Sequence, residues 1–156
     1  MQEHPDHHDA ELMLRLYELR REEKLRQARE WFAQEFQAES LPDFLKRYPP
    51  ATQENAYFRM VIGYWEMAAS IVNYGLIKES FFLESNTEFY GLWTKVKHLL
   101  GPAREAYKNP HLWANIEALS EKYEKWMATR APEALASFRE RFAQMQAQTQ
   151  GKASAS

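Results

Sequence analysis

The sequence predicts an all-α fold: a single-domain helical bundle of four to five main helices plus short helices, with a long N-terminal helix. Three observations carry this. Apolar residues recur at helical spacing along almost the whole chain. No run alternates apolar and polar residues between turn signals, so no sheet is expected. Only 5 glycines occur in 156 residues, and Pro, Ser, Asn and Asp stand where helices would start or stop. Surface scaling for 18.5 kDa leaves about 8,200 Å² exposed out of roughly 27,000 Å² unfolded, enough burial for one core without a covalent staple. The expected organisation is a flexible tail over 1–8, one helical domain over 9–148 and a flexible tail over 149–156.

The first helix is predicted from Asp9, as N-cap, to about Ala38. Leu12, Leu16 and Leu19 form one apolar stripe, and Leu25, Ala28, Phe32 and Phe36 a second. Arg20-Arg21-Glu22-Glu23-Lys24 between them reads as a solvated face. Ser40 to Tyr48 is a short helix with a Ser cap and an early Pro, ended by Pro49-Pro50. Thr52 to Tyr74 carries two adjoining stripes, Tyr57/Val61/Tyr64/Ala68/Ile71 and Phe58/Ile62/Trp65/Ala69/Val72. Such a wide apolar arc marks the central helix. Its polar strip is Arg59, Gly63, Glu66, Ser70 and Asn73, and Gly75 takes the C′ position.

A short helix spans Lys78 to Glu84, and Ser85-Asn-Thr-Glu88 matches a capping box. The stripe that follows, Phe89, Trp93, Val96, Leu100, Ala103 and Tyr107, keeps its phase through Gly101-Pro102, which predicts one Pro-kinked helix. Asn109-Pro110 is a turn. The last two helices run from about Pro110 to Ala128 and from Pro132 to Gln148.

Composition narrows the function. Without cysteine there is no thiol nucleophile, disulfide or Cys-ligated metal. The 20 Lys+Arg and 22 Asp+Glu give a net charge of −2, which argues against nucleic acid. No run approaches the about 18 apolar residues of a membrane span, and the start lacks the basic and apolar run of a secretory signal, so none is expected. A cytoplasmic protein is expected.

The order Trp65-Glu66, Tyr74-Gly75-Leu76-Ile77, Phe81-Phe82, Trp93, Arg104 and Asn109-Pro110 followed by Trp113 and Ile116 resembles a bacterial all-helical family catalogued as a domain of unknown function. The resemblance spans about residues 40–128. It implies the helical fold and carries no activity.

No catalytic residue stands out. The serines lack a nucleophile elbow, and no Gly-rich phosphate loop occurs. His4, His7, His8, Asp6 and Asp9 are metal-ligand types, yet a Pro-containing terminus offers no fixed geometry, so no metal or other cofactor is expected. Glu66 and Arg104 each lie beside an apolar stripe. They read as a pair, either a clamp between helices or a recessed acid and guanidinium that anchor a polar ligand. Trp65, Trp93, His98, Tyr107 and Trp113 are candidates for an aromatic pocket or interface, and Trp31, Trp113 and Trp126 are expected near the surface.

The leading reading is a non-enzymatic interaction module that self-associates, most simply as a dimer, through its first or last helix, or that binds a protein partner. The alternative is a binding protein for a small amphipathic or apolar ligand in an aromatic pocket between helices.

Overall fold

A computed structural model describes residues 3–155; Met1, Gln2 and Ser156, which belong to the expected tails, lie outside it. It contains α1 (His7–Arg20), α2 (Glu23–Gln34), α3 (Leu41–Arg47), α4 (Gln53–Asn73), α5 (Glu79–Leu83), α6 (Glu88–Ala106), α7 (Ala114–Arg130) and α8 (Pro132–Ser154). Among the described residues there is no strand.

The central helix is α4, as its wide apolar arc demands. It packs on α2 and α7, while α6 and α8 also pack on α7. Both predicted stripes of α4 turn inward, with Phe58, Val61, Ile62, Tyr64, Trp65, Ala68, Ala69 and Val72 buried. Gly75 takes φ +79° beyond its end. The N–H of Gly75 bonds to Val72 O at 2.9 Å and that of Leu76 to Ile71 O at 3.1 Å. This pair closes a Schellman cap, and the positive φ explains the glycine. The α6 helix continues through Pro102 as one element.

The long first helix is corrected: it is two helices. The charged run between the stripes is a corner, because the Glu22 carboxylate accepts the N–H groups of Lys24 and Leu25 at 3.1 and 2.9 Å. Glu22 thus starts α2 rather than continuing α1, a case of a side chain outcompeting the helical backbone. Those two N–H groups, Leu25 first, hold its carboxyl below the usual range. Arg29 fastens the corner, donating to Arg20 O at 3.2 Å and to Glu88 at 2.9 and 2.7 Å. Tyr64 donates to Leu16 O at 2.6 Å, tying α1 to α4.

The capping box at Ser85 is corrected as well. Thr87 is the N-cap of α6 and makes no side-chain cap bond. Glu88 is drawn to Arg29 instead. Trp31 is buried, edge-on to Phe36 and Tyr48 at 5.8 and 5.2 Å, rather than near the surface. The start of α7 slips from Pro110 to Ala114 because Trp113 adopts a left-handed backbone, φ 55°.

The last helix extends past Gln148 to Ser154. Only Leu135 of α8 is buried among the residues described, with Phe138 on Tyr90 and Phe142 on Phe138. The exposed area of 10,000 Å² exceeds the about 8,200 Å² of a compact chain this size, and the lightly packed α8 is the visible source of that excess.

Candidate functional site

The first residue of interest is Glu66, on the polar strip of α4. Its carboxylate accepts the backbone N–H groups of Asn115 at 2.9 Å and Ile116 at 2.8 Å, and the Asn115 side-chain amide at 3.2 Å. These are free donors of the first turn of α7. Trp113, the N-cap residue, supplies no side-chain bond of its own, so α4 caps α7 from outside. Arg104 of α6 grips the same region, donating to Leu112 O at 3.0 Å and to Glu117 at 3.1 Å. Glu66 and Arg104 therefore do not pair with each other. Each finds a nearer partner at the start of α7, and the expected pair is corrected to two separate clamps on one helix end.

Beside this clamp an apolar groove of about 520 Å³ opens between α3, α4, α6 and the loop leading to α7. Phe44, Phe58, Ile62, Leu99 and Trp113 form its walls, and the exposed Tyr107 and Leu45 stand at its rim. Arg59 lies on the same lining and is exposed. Its Nε donates to Asn55 Oδ1 at 3.0 Å, and Asn55 in turn donates to Tyr48 O at 2.9 Å. This orients the guanidinium. Among the described residues no carboxylate forms an ion pair with it, so its terminal N–H groups remain available to a ligand.

Across α3, on the face that carries Asp43 and Arg47, lies a second cavity of about 380 Å³. It holds Lys95 and His98 of α6 and is bounded on one side by the far half of α8. Lys95 Nζ donates to the carbonyls of Phe32 and Ala33 at 2.9 and 3.0 Å, and His98 Nε2 to Ala38 O at 2.6 Å. Lys95 holds the C-terminal end of α2, and His98 holds the segment between α2 and α3. Burial lowers the Lys95 ammonium to about 8.

The histidine-rich start is organised around Asp9, which is fully buried. Asp6 caps α1 through the N–H groups of His8 and Asp9. Asp9 accepts from Asp6 N at 3.0 Å, Lys78 N at 2.6 Å and the His4 ring at 2.8 Å. Burial alone raises its carboxyl, but these donors outweigh it and hold the group well below the usual range. Ligand atoms of His4, Asp6 and Asp9 lie within 4.8 Å of one another. Both Asp9 oxygens and Asp6 Oδ1 already accept hydrogen bonds of the fold.

The expected pocket residues disperse. Tyr107 and Trp113 line the apolar groove, and His98 lines the cavity at Lys95. Trp65 and Trp93 are core residues, with the Arg20 guanidinium 5.3 Å over the Trp65 ring. Arg59 and Lys95 were missed as site residues. Arg59 was visible as the one cation on the α4 polar strip. Lys95, adjacent to Val96 in an apolar helix, gave no signal that it would lack a carboxylate partner among the described residues.

The family model described as Domain of unknown function (DUF4760) matches residues 5–126, which takes in α1 to most of α7 and reaches further toward the N-terminus than the resemblance over 40–128. No curated protein and no solved structure matches. No described helix is long and apolar enough to cross a membrane. On the family match, the chain belongs to the DUF4760 family.

Proposed function

We propose that this chain binds an amphipathic organic anion, its apolar part in the groove between α3, α4 and α6 and its acid group on Arg59. The observation that carries this reading is an oriented guanidinium with no acidic partner among the described residues, on the lining of a mostly apolar groove. Small-molecule sites are concave, mostly apolar, about 300–1,000 Å³, with few polar groups fixing orientation. Arg suits a carboxylate or sulfonate because its two terminal N–H groups present a planar fork. Glu66 and Arg104 act here as positioning residues: by holding the start of α7 they fix Leu112 and Trp113 in the groove wall.

The test is displacement of anilinonaphthalene sulfonate by laurate, followed by fluorescence. The reading expects saturable binding that Arg59→Gln weakens about tenfold, with dodecanol a poor competitor in both proteins. Equal affinity of the variant for laurate would count against the role of Arg59.

One observation favours a second reading, self-association. Leu14 and Tyr17 are one helical turn apart on α1 and stay exposed. A second copy docking there would bury them. Sedimentation velocity at tens of micromolar separates the readings, because Tyr17→Glu would then dissociate a dimer and leave laurate binding intact.

A further inference from the structure

We propose that Lys95 is a covalent capture site for a small aldehyde, held in the cavity between α3, α6 and α8. This does not rest on the groove at Arg59. The amine is fixed by two carbonyls, Phe32 O at 2.9 Å and Ala33 O at 3.0 Å. A neutral primary amine has two N–H donors, so these carbonyls use both and leave the lone pair without a partner. The cavity of about 380 Å³ supplies free space beside it.

Among the described residues no carboxylate pairs with the ammonium, whose remaining neighbour is the Phe32 ring, 5.3 Å from Nζ to its centroid. Asp43 on α3 is engaged by Arg47, at 2.9 and 3.0 Å, and by the N–H of Glu39. Glu39 lines the cavity but forms no ion pair with Lys95. His98, from α6 itself, is turned to Ala38 O. The α8 side brings only uncharged residues, Met145 and Gln146 among them. With its ammonium at about 8, roughly one Lys95 in ten is neutral at pH 7, against about one in three thousand for an ordinary lysine. Apart from Lys95, the lining charges are Arg47 against Asp43 and Glu39, a net of one negative charge, which disfavours an anionic ligand.

The reaction conserves atoms and electrons. The Nζ lone pair attacks the carbonyl carbon, and the oxygen takes up a proton. The resulting carbinolamine loses its hydroxyl as water, and nitrogen releases its remaining proton as the imine forms. Amine and aldehyde give imine and water, with no oxidant or reductant.

The full chain would be treated at pH 7 with limiting glycolaldehyde and cyanoborohydride, which reduces any imine to a stable secondary amine. Peptide mass spectrometry then locates the label. The expected result is at least tenfold more label on Lys95 than on any other lysine, with this preference shrinking by pH 10 as exposed lysines lose their protons. Lys95→Arg, whose guanidinium can still reach both α2 carbonyls, should keep the melting temperature and remove the dominant label. Labelling of Lys95 no greater than that of exposed Lys97, or a preference unchanged by pH, would overturn the proposal. The wild-type map alone decides this, even if the variant folds poorly.

Discussion

The Glu66 carboxylate on α4 lies 2.8 Å from the backbone nitrogen of Ile116, capping a helix that starts far along the chain. Because Trp113 offers no cap of its own, α7 depends on this contact for its first free N–H groups. Glu66→Ala should lower stability by about 1 kcal/mol, as loss of an N-cap does. In a domain this size that is a fall of roughly 2–4 °C in Tm. Amide exchange at Asn115 and Ile116 should accelerate more than elsewhere. Unchanged exchange there would show that α7 caps itself.

Arg104 holds the same end from the other side through Leu112 O and Glu117. Lysine cannot span both acceptors with a planar fork. Arg104→Lys should cost less than about 1 kcal/mol overall, since the ion pair is partly solvated. Its signature is local: faster exchange at Leu112 to Asn115 and weaker laurate binding through the displaced groove wall.

Asp9 makes stability depend on acid. Its folded carboxyl is held below the ordinary 3.8 by the N–H groups of Asp6 and Lys78 and by His4, against the upward pull of burial. The unfolded chain therefore takes up its proton first as pH falls. The contribution of Asp9 is complete above about 4 and is lost on descending from there toward its depressed folded value. Melting temperatures measured from pH 6 to pH 2 should fall in the acid limb. Asp9→Asn should lower Tm at neutral pH, because an amide N–H₂ faces donors, and should flatten that limb.

Gly75 sits at φ +79° with nothing within 4 Å of an added Cβ, so the cost of a side chain there is backbone strain alone. Gly75→Ala should destabilise by about 1 kcal/mol, and Gly75→Asn by less. Chemical denaturation of the two variants measures the difference.

Much of the architecture was legible because helix periodicity and caps are local. Ser40, Thr52 and Gly75 all act where local rules place them. The first-helix break was not, because Glu22 looks like any surface glutamate until the corner is held by Arg29 and Glu88, residues 59 positions apart. The same reason hid the site. Glu66 and Arg104 were recognisable as polar groups beside apolar stripes, but their partners lie at Leu112 and in the first turn of α7, a stretch whose path turns on the left-handed Trp113. Arg59 stood on the right strip, and only its lack of an ion pair among the described residues makes it notable.

The central claim is that the groove holds an amphipathic anion, and the five tryptophan indole N–H resonances report on it directly. Trp113 lines the groove, whereas Trp31, Trp65, Trp93 and Trp126 do not. Titration of ¹⁵N-labelled protein with laurate should shift the Trp113 indole saturably, leave Trp31, Trp65, Trp93 and Trp126 nearly unmoved, and require about tenfold more laurate in Arg59→Gln. An unmoved Trp113, or equal shifts at all five indoles, would contradict the account.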